Sequence, residues 1–241
     1  MATNKTVLIT GSNRGIGLQF VQEYKKLGWN VIAAVRDPTA ADKLNAFAPY
    51  KVVQLDIGDE ASVLSAAKEL DGEAIDLLIN NAGIIIRDEL ASATKANMLK
   101  LFEVNSVGPF LVTRAFIPHL KAAAVKNGSA NVIQVSSLVG SISLCAGNYY
   151  GYGTSKAALN MISSSLAIDL KGDNVGVFVL HPGYVATDMT GGGAVDIVRG
   201  DEVIKAISTE KCVGDMMSVI NKLTLAETGK YYSYTGEALP W

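Results

Sequence analysis

Thr10-Gly11-Ser12-Asn13-Arg14-Gly15-Ile16-Gly17 follows directly on the apolar run Thr6-Val7-Leu8-Ile9 and decides the architecture of this chain. The run is short, rich in β-branched residues and without polar alternation, as befits a strand covered on both faces of a parallel sheet. Beyond the glycines, Leu18, Phe20, Val21, Tyr24 and Leu27 recur at helical spacing, with charge at Glu23, Lys25 and Lys26. A strand, a glycine-rich turn and a helix N-terminus form an anion cradle, because unpaired N–H groups and the helix dipole converge there. Gly11 permits the tight turn. Gly15 and Gly17 let backbone approach a pyrophosphate and let helix pack close to strand.

Outward from this unit, strands and helices alternate. Strands are predicted at Val7–Thr10, Val31–Val35, Lys51–Leu55, Leu77–Asn80, Val132–Ser136, Val175–Leu180 and Lys230–Ser233. Helices are predicted at Gly15–Leu27, Ala40–Phe47, Glu60–Glu69, Lys95–Val125, Gly153–Leu170 and Asp201–Leu223, with Pro118 marking a kink or break in the long fourth one. The fold class is α/β, a Rossmann-type doubly wound parallel sheet of about seven strands in the order 3-2-1-4-5-6-7, helices on both faces. At 241 residues the chain suits one such domain, 1–241. Ligands of these sheets sit at the strands' carboxyl ends, where every motif below falls.

Half the residues are hydrophobic, enough for a large core, and a formal charge of −2 offers no basic field for a nucleic acid. No apolar run reaches the length of a membrane span, and the residues before the first strand do not read as a signal peptide. Cys145 and Cys212 lack CxxC spacing and read as free thiols of a reducing, cytoplasmic compartment. No metal site is expected.

Tyr152 and Lys156 carry the chemistry. At i and i+4 they share a helix face, setting a proton donor beside a cation that favours the phenolate and draws its pKa toward the working range. Ser136-Ser137 ends the fifth predicted strand upstream. Arg36 ends the second, followed by Asp37, and Arg14 lies inside the glycine loop. Two guanidiniums suit a ribose 2′-phosphate, so NADP(H) is the expected cofactor, while Asp37 leaves room for NAD through the 2′-hydroxyl.

Thr-Gly-x-x-x-Gly-x-Gly, Asn80-Asn81-Ala82-Gly83 and Tyr152-x-x-x-Lys156 together resemble the short-chain dehydrogenase/reductase family along nearly the whole chain. The tail from Gly229 to Trp241 is similar to the carbonyl reductases of the C-factor and sniffer type. The resemblance implies NADPH-dependent reduction of a ketone or aldehyde, with Tyr152 as general acid, Ser137 polarising the carbonyl, and Lys156 on the nicotinamide ribose. It places Asn105 behind the lysine, holding a relay water, and Gly108 and Pro109 nearby are consistent with a local irregularity there. Asp56, with Ile57 beside it, meets the adenine or else caps the following helix. Asn81, Ala82 and Gly83 line the ribose, while Asn80 and Asn81 tie adjacent strands. Pro182, Gly183, Val185 and Thr187 contact the carboxamide, and residues 188–215, with Gly191-Gly192-Gly193, form a mobile lid.

The stretch from Ser137 to Tyr152 is longer than is usual in the family, which leaves open whether Ser136 or Ser137 faces the substrate. Tyr149 and Tyr150 read as cleft lining or as surface aromatics, since Tyr152 alone has a lysine at i+4. His181 reads as structural. The resemblance also implies a homo-oligomer, a dimer foremost. Two alternatives stand beside this reading: a dedicated substrate such as a 3-oxoacyl thioester or a steroid, and a signalling protein on the same fold.

Overall fold

Five consecutive residues, Thr6–Thr10 (β1), are buried from end to end, which only a strand covered on both faces allows. β1 pairs in parallel with β2 (Asn30–Val35) on one side, and β2 with β3 (Lys51–Gln54). On its other side lies β4 (Leu77–Asn80), then β5 (Ala130–Val135) and β6 (Val175–His181). A short antiparallel pair, β7 (Ile197–Arg199) and β8 (Glu202–Ile204), precedes β9 (Tyr231–Ser233), which pairs in parallel with β6. The sheet order is β3-β2-β1-β4-β5-β6-β9. This is the expected doubly wound order, its last strand becoming β9 because the β7–β8 hairpin intervenes. The computed structural model describes residues 5–192, 196–199 and 202–241. Residues 1–4, Gly193 of the glycine run and Asp201, where the last predicted helix was to begin, lie outside them.

Successive strand residues feed opposite layers. Leu8, Ile32, Leu78, Val132 and Val177 pack with Val63 and Leu70 near α3 (Glu60–Glu69) and with Val112, Phe116 and Leu120 of α5 (Gly108–Asn127). Val7, Ile9, Ile79, Ile133 and Phe178 pack on Phe20 and Tyr24 of α1 (Gly15–Lys26) and on Val213 and Met216 of α7 (Thr209–Ile220). Each of these fully buried side chains contributes about 1.5–3 kcal/mol, so the sheet is a stiff floor for whatever its edge presents. Between β2 and β3 only a 3₁₀ turn, Pro38–Ala40, and the one-turn α2 (Asp42–Asn45) form, where a helix over Ala40–Phe47 was expected. Cys145 and Cys212 are free thiols. No helix among the described residues is long and apolar enough to cross a membrane.

The long fourth helix departs from expectation at Pro118 and meets it near Asn105. It runs as α4 (Lys95–Phe102), a π-helical segment Glu103–Val107, and then α5, which carries Pro118 in its interior. The irregularity therefore begins fifteen residues before the proline, and within it Asn105 and Ser106 turn inward to buried partners. Gly108 closes it, and a Cβ there would meet the Ile57 carbonyl at 2.6 Å. The predicted helix over Asp201–Leu223 is likewise replaced by β8 and the shorter α7.

The final residues fold back over the stretch between β5 and α6 (Tyr150–Leu170). Ser141 Oγ donates to the Pro240 carbonyl at 2.8 Å, and Ser143 donates through N and Oγ to the Trp241 carbonyl at 3.0 and 2.8 Å. The Trp241 ring stacks on Tyr231, with centroids 5.4 Å apart.

Candidate active site

The glycine loop behaves as its spacing predicts. Gly11 and Gly15 hold φ of +68° and +54°, the region that favours glycine. A Cβ on Gly17 would lie 2.2 Å from the Gly11 carbonyl oxygen, so no other residue fits. α1 starts at Gly15 with no side chain capping it and no acid in its first turn, which leaves its N-terminal field to an anionic ligand. Asn13 and Arg14 are exposed and Ile16 packs on the core of that layer.

Thr10 and Asn81 bolt this loop to the end of β4. Thr10 Oγ1 accepts from the backbone N of Asn81 and of Ala82, both at 3.0 Å, and Asn81 Nδ2 donates to the Thr10 carbonyl at 3.0 Å. Asn80 does something other than tie strands, since its Nδ2 donates to Thr113 Oγ1 of α5 at 3.0 Å. After four fully buried residues, Asn81 through Ile86 are all half-buried, one wall of an open cleft. From the far side, the segment after β6 reaches the same loop. Thr187 Cγ2 stands 3.5 Å from where a Gly15 Cβ would be, and Arg14 pairs with Asp188 at 3.1 Å in an exposed ion pair. Pro182 and Gly183 are half-buried, and Gly183 has φ +86° with the Tyr234 ring against it. Val185 is buried. Three separated stretches of sequence thus converge on one edge.

The end of β2 has a feature that bears on the ribose. Arg36 is exposed, while Asp37 is turned toward its own chain: its Oδ1 accepts from Thr39 Oγ1 at 2.6 Å and Thr39 N at 2.9 Å, capping the 3₁₀ turn. The Thr39 hydroxyl, foremost, holds that carboxyl below its ordinary range. Asp56 does not cap α3; Asp59 does, accepting from Ala61 N at 3.0 Å. Asp56 makes a tight turn with Gly58 N at 2.9 Å, beside buried Ile57.

At the end of β5 the two serines separate. Ser136 is buried and donates to Asn160 Oδ1 at 2.7 Å, whereas Ser137 is half-buried beside Tyr152 and accepts from Val139 N at 3.3 Å, which leaves its own proton to give. Lys156 is 5 % exposed; its Nζ donates to the Val135 carbonyl at 2.9 Å and lies near the Gly83 backbone, bridging β5 and the β4 turn. Burial brings its pKa down to about 8. The Tyr152 phenol is pushed up to about 12 by burial, with Ser137 pulling it down and Tyr149 adding to the rise. Burial thus moves the amine of Lys156 toward neutral pH and the phenol of Tyr152 away from it. The ammonium is 5.9 Å from the phenol ring, and burial is the largest influence on the phenol.

Asn105 is fully buried. Its Nδ2 donates to the Ile84 carbonyl at 2.9 Å and Ser155 Oγ at 3.1 Å, and its Oδ1 accepts from Ile84 N at 2.9 Å. Both amide protons are spent on protein, so the side chain locks the cleft wall to α6. Ser155 Oγ passes the link on by donating to the Tyr152 carbonyl at 2.7 Å. Tyr150 is exposed and Tyr149 half-buried. Burial drives the His181 imidazole down to about 4, so it is neutral at physiological pH, in keeping with a structural residue. Sequence reading missed Asp88, a buried carboxylate (5 % exposed) that accepts from Gly151 N at 3.0 Å, because no motif surrounds it.

Residues 5–194 match the family model described as short chain dehydrogenase. Among solved structures, NADPH-bound carbonyl reductase from chicken fatty liver is 33 % identical, with a TM-score of 0.87 and 99 % of each chain covered. Carbonyl reductase Sniffer of D. melanogaster is 28 % identical, with a TM-score of 0.89 over 99 % of this chain and all of the other. The C-signal of Myxococcus xanthus is 35 % identical over 69 % of this chain and 93 % of its own.

Proposed function

This chain belongs to the short-chain dehydrogenase family of oxidoreductases, and from that premise we propose that it is an NADPH-dependent carbonyl reductase, converting a ketone or aldehyde to an alcohol with Tyr152 as proton donor. The observation that carries the reading is the meeting of Ser137, Tyr152 and Lys156 at one edge of the sheet, across the cleft from an uncapped, glycine-lined helix start.

The residues present fit a nicotinamide dinucleotide: Gly11, Gly15 and Gly17 make room for a pyrophosphate that α1 would receive, and Asn81–Gly83 and Lys156 would flank the ribose next to the nicotinamide. The bound reduced cofactor would supply the hydride. What the chain itself does is polarise and protonate. Ser137 gives its free proton as a hydrogen bond to the substrate oxygen, steadying the charge that grows there. Tyr152, a phenol throughout the physiological range, then donates to an alkoxide far more basic than itself. Lys156 supplies positive charge beside the phenolate that results. Asn105 and Ser155 hold the frame.

For the adenosine end, the self-capped Asp37 and exposed Arg36 favour NADPH over NADH, as does the cofactor bound by the chicken relative. Arg14 would join Arg36 by exchanging Asp188 for the 2′-phosphate. Val185 and Thr187 would meet the carboxamide, and residues 188–215 would act as the lid of a single dinucleotide-binding unit spanning the chain. The working protein is a cytoplasmic homo-oligomer, foremost a dimer, on this proposal.

Tyr152→Phe tests the reading. Reduction of a carbonyl panel, followed by NADPH absorbance, should lose about 10²- to 10⁴-fold in kcat while NADPH affinity holds. Near-normal turnover by this variant would sink the assignment. A signal protein of the C-signal kind, using the fold without chemistry, predicts no NADPH-dependent turnover by the wild type either.

A further inference from the structure

Tyr152 stands two residues past the start of α6, and the backbone that leads into that turn is strained. Asn148 and Tyr149 hold φ of +58° and +53° in succession, a conformation that L-residues rarely adopt and that persists only where neighbours over-determine it. The neighbour here is Asp88. Its backbone carbonyl accepts from Tyr149 N at 2.9 Å, and its Oδ2 accepts from Gly151 N at 3.0 Å. α6 has no side-chain cap of its own at Tyr149, so this carboxylate, contributed from 63 residues upstream, takes the place of one, and it suits the helix dipole. Gly151 is what admits it: a Cβ there would lie 3.2 Å from Asp88 Oδ2 and 2.6 Å from Leu101 Cδ1. On the C-terminal side Tyr152 is anchored separately, through Ser155 and Asn105.

We propose that Asp88 is a positioning residue for proton transfer: it pins the Asn148–Tyr149 elbow and the first turn of α6, and so sets where the Tyr152 phenol stands relative to Ser137. The proposal rests on the reading of Tyr152 as the acid. A displacement of about 1 Å in such a group costs up to 10²-fold in rate, while the second anchor keeps the loss short of complete.

The test compares Asp88→Ala with Asp88→Asn in the full chain. Asp88→Ala should lower kcat by about 10- to 100-fold, leave NADPH Kd essentially unchanged, and speed amide exchange at Tyr149 and Gly151. Asp88→Asn keeps an oxygen facing Gly151 N and should restore most of kcat. Unchanged kcat in Asp88→Ala overturns the proposal. So does equal loss in the asparagine variant, which would point to charge rather than the clamp, or a fall in NADPH affinity in step with kcat. Should Asp88→Ala not fold, Gly151→Ala wedges a methyl between Asp88 and Leu101 and must lower kcat with cofactor binding intact; wild-type kcat there also overturns it. Tyr152→Phe run in parallel separates the two readings. Normal turnover by it defeats the acid assignment, whereas a dead Tyr152→Phe beside a fully active Asp88→Ala defeats this proposal alone.

Discussion

Around β1 the cleft is made of backbone; around α6 it is made of buried side chains. The glycine loop presents N–H groups and empty space, and the Thr10 and Asn81 side chains that brace it bond to backbone atoms of Thr10, Asn81 and Ala82. The α6 side presents a phenol, an amine and a hydroxyl whose properties are reset by surroundings, up to about 12 for Tyr152 and down to about 8 for Lys156. Backbone surfaces fail when something is added to them. Side-chain surfaces fail when something is taken away or when pH shifts.

The sharpest break of this contrast is a single added side chain in the loop. Gly17→Val must place carbon where the Gly11 carbonyl already stands, 2.2 Å from a Cβ. NADPH binding by calorimetry should disappear, with stability down by about 1–3 kcal/mol from overpacking, although no charged or catalytic group is touched. Retained binding would show that the loop yields and is no rigid cradle.

Arg36 tests a place where the backbone-built side is expected to use a side chain. Arg36→Ala should raise Kd for NADPH about 10- to 100-fold, the loss of a charge-assisted contact, and hardly alter that for NADH. Tighter binding of NADH than of NADPH by the wild type would restore Asp37 to the leading role.

The smallest effect probes the reset amine. Lys156 has its pKa depressed to about 8, so its charge is present below that pH and lost above it. If the ammonium is what holds the cofactor, NADPH Kd should climb by up to about tenfold from pH 7 to pH 9, in proportion to the charged fraction. In Lys156→Ala the affinity should be weaker and this climb absent. A variant that climbs in the same way would assign it to another group.

Much of this was legible in the chain itself. Glycines at 11, 15 and 17, buried apolar runs and the Tyr152–Lys156 spacing report requirements that any backbone conformation of the fold must meet. β1, α1, β4 and α3 stand where pattern set them, to within a residue, whereas α6 starts at Tyr150, three residues before the predicted Gly153, and so takes in Tyr152. Ser137 against Ser136 was undecidable by spacing, because both end a strand, and only the third dimension shows Ser136 sealed against Asn160. Pro118 was a misleading signal. A proline costs a helix one hydrogen bond, but the larger demand was for Asn105 and Ser106 to reach Ile84 and Ser155, and the π segment forms there instead. Asp88 left no local trace, since its partner is 63 residues away.

The returning tail sets a timetable for the nascent chain. Ser143 bonds a residue 98 positions later, so the stretch between β5 and α6 cannot take its final form when it emerges. At synthesis rates of about 5–20 residues per second it waits roughly 5–20 s for its partner. During that interval the sheet can assemble from β1 to β6 while the Ser141–Ser143 loop still lacks its partner. The loop that leads from β5 into α6 is therefore finished only after β9 has been made.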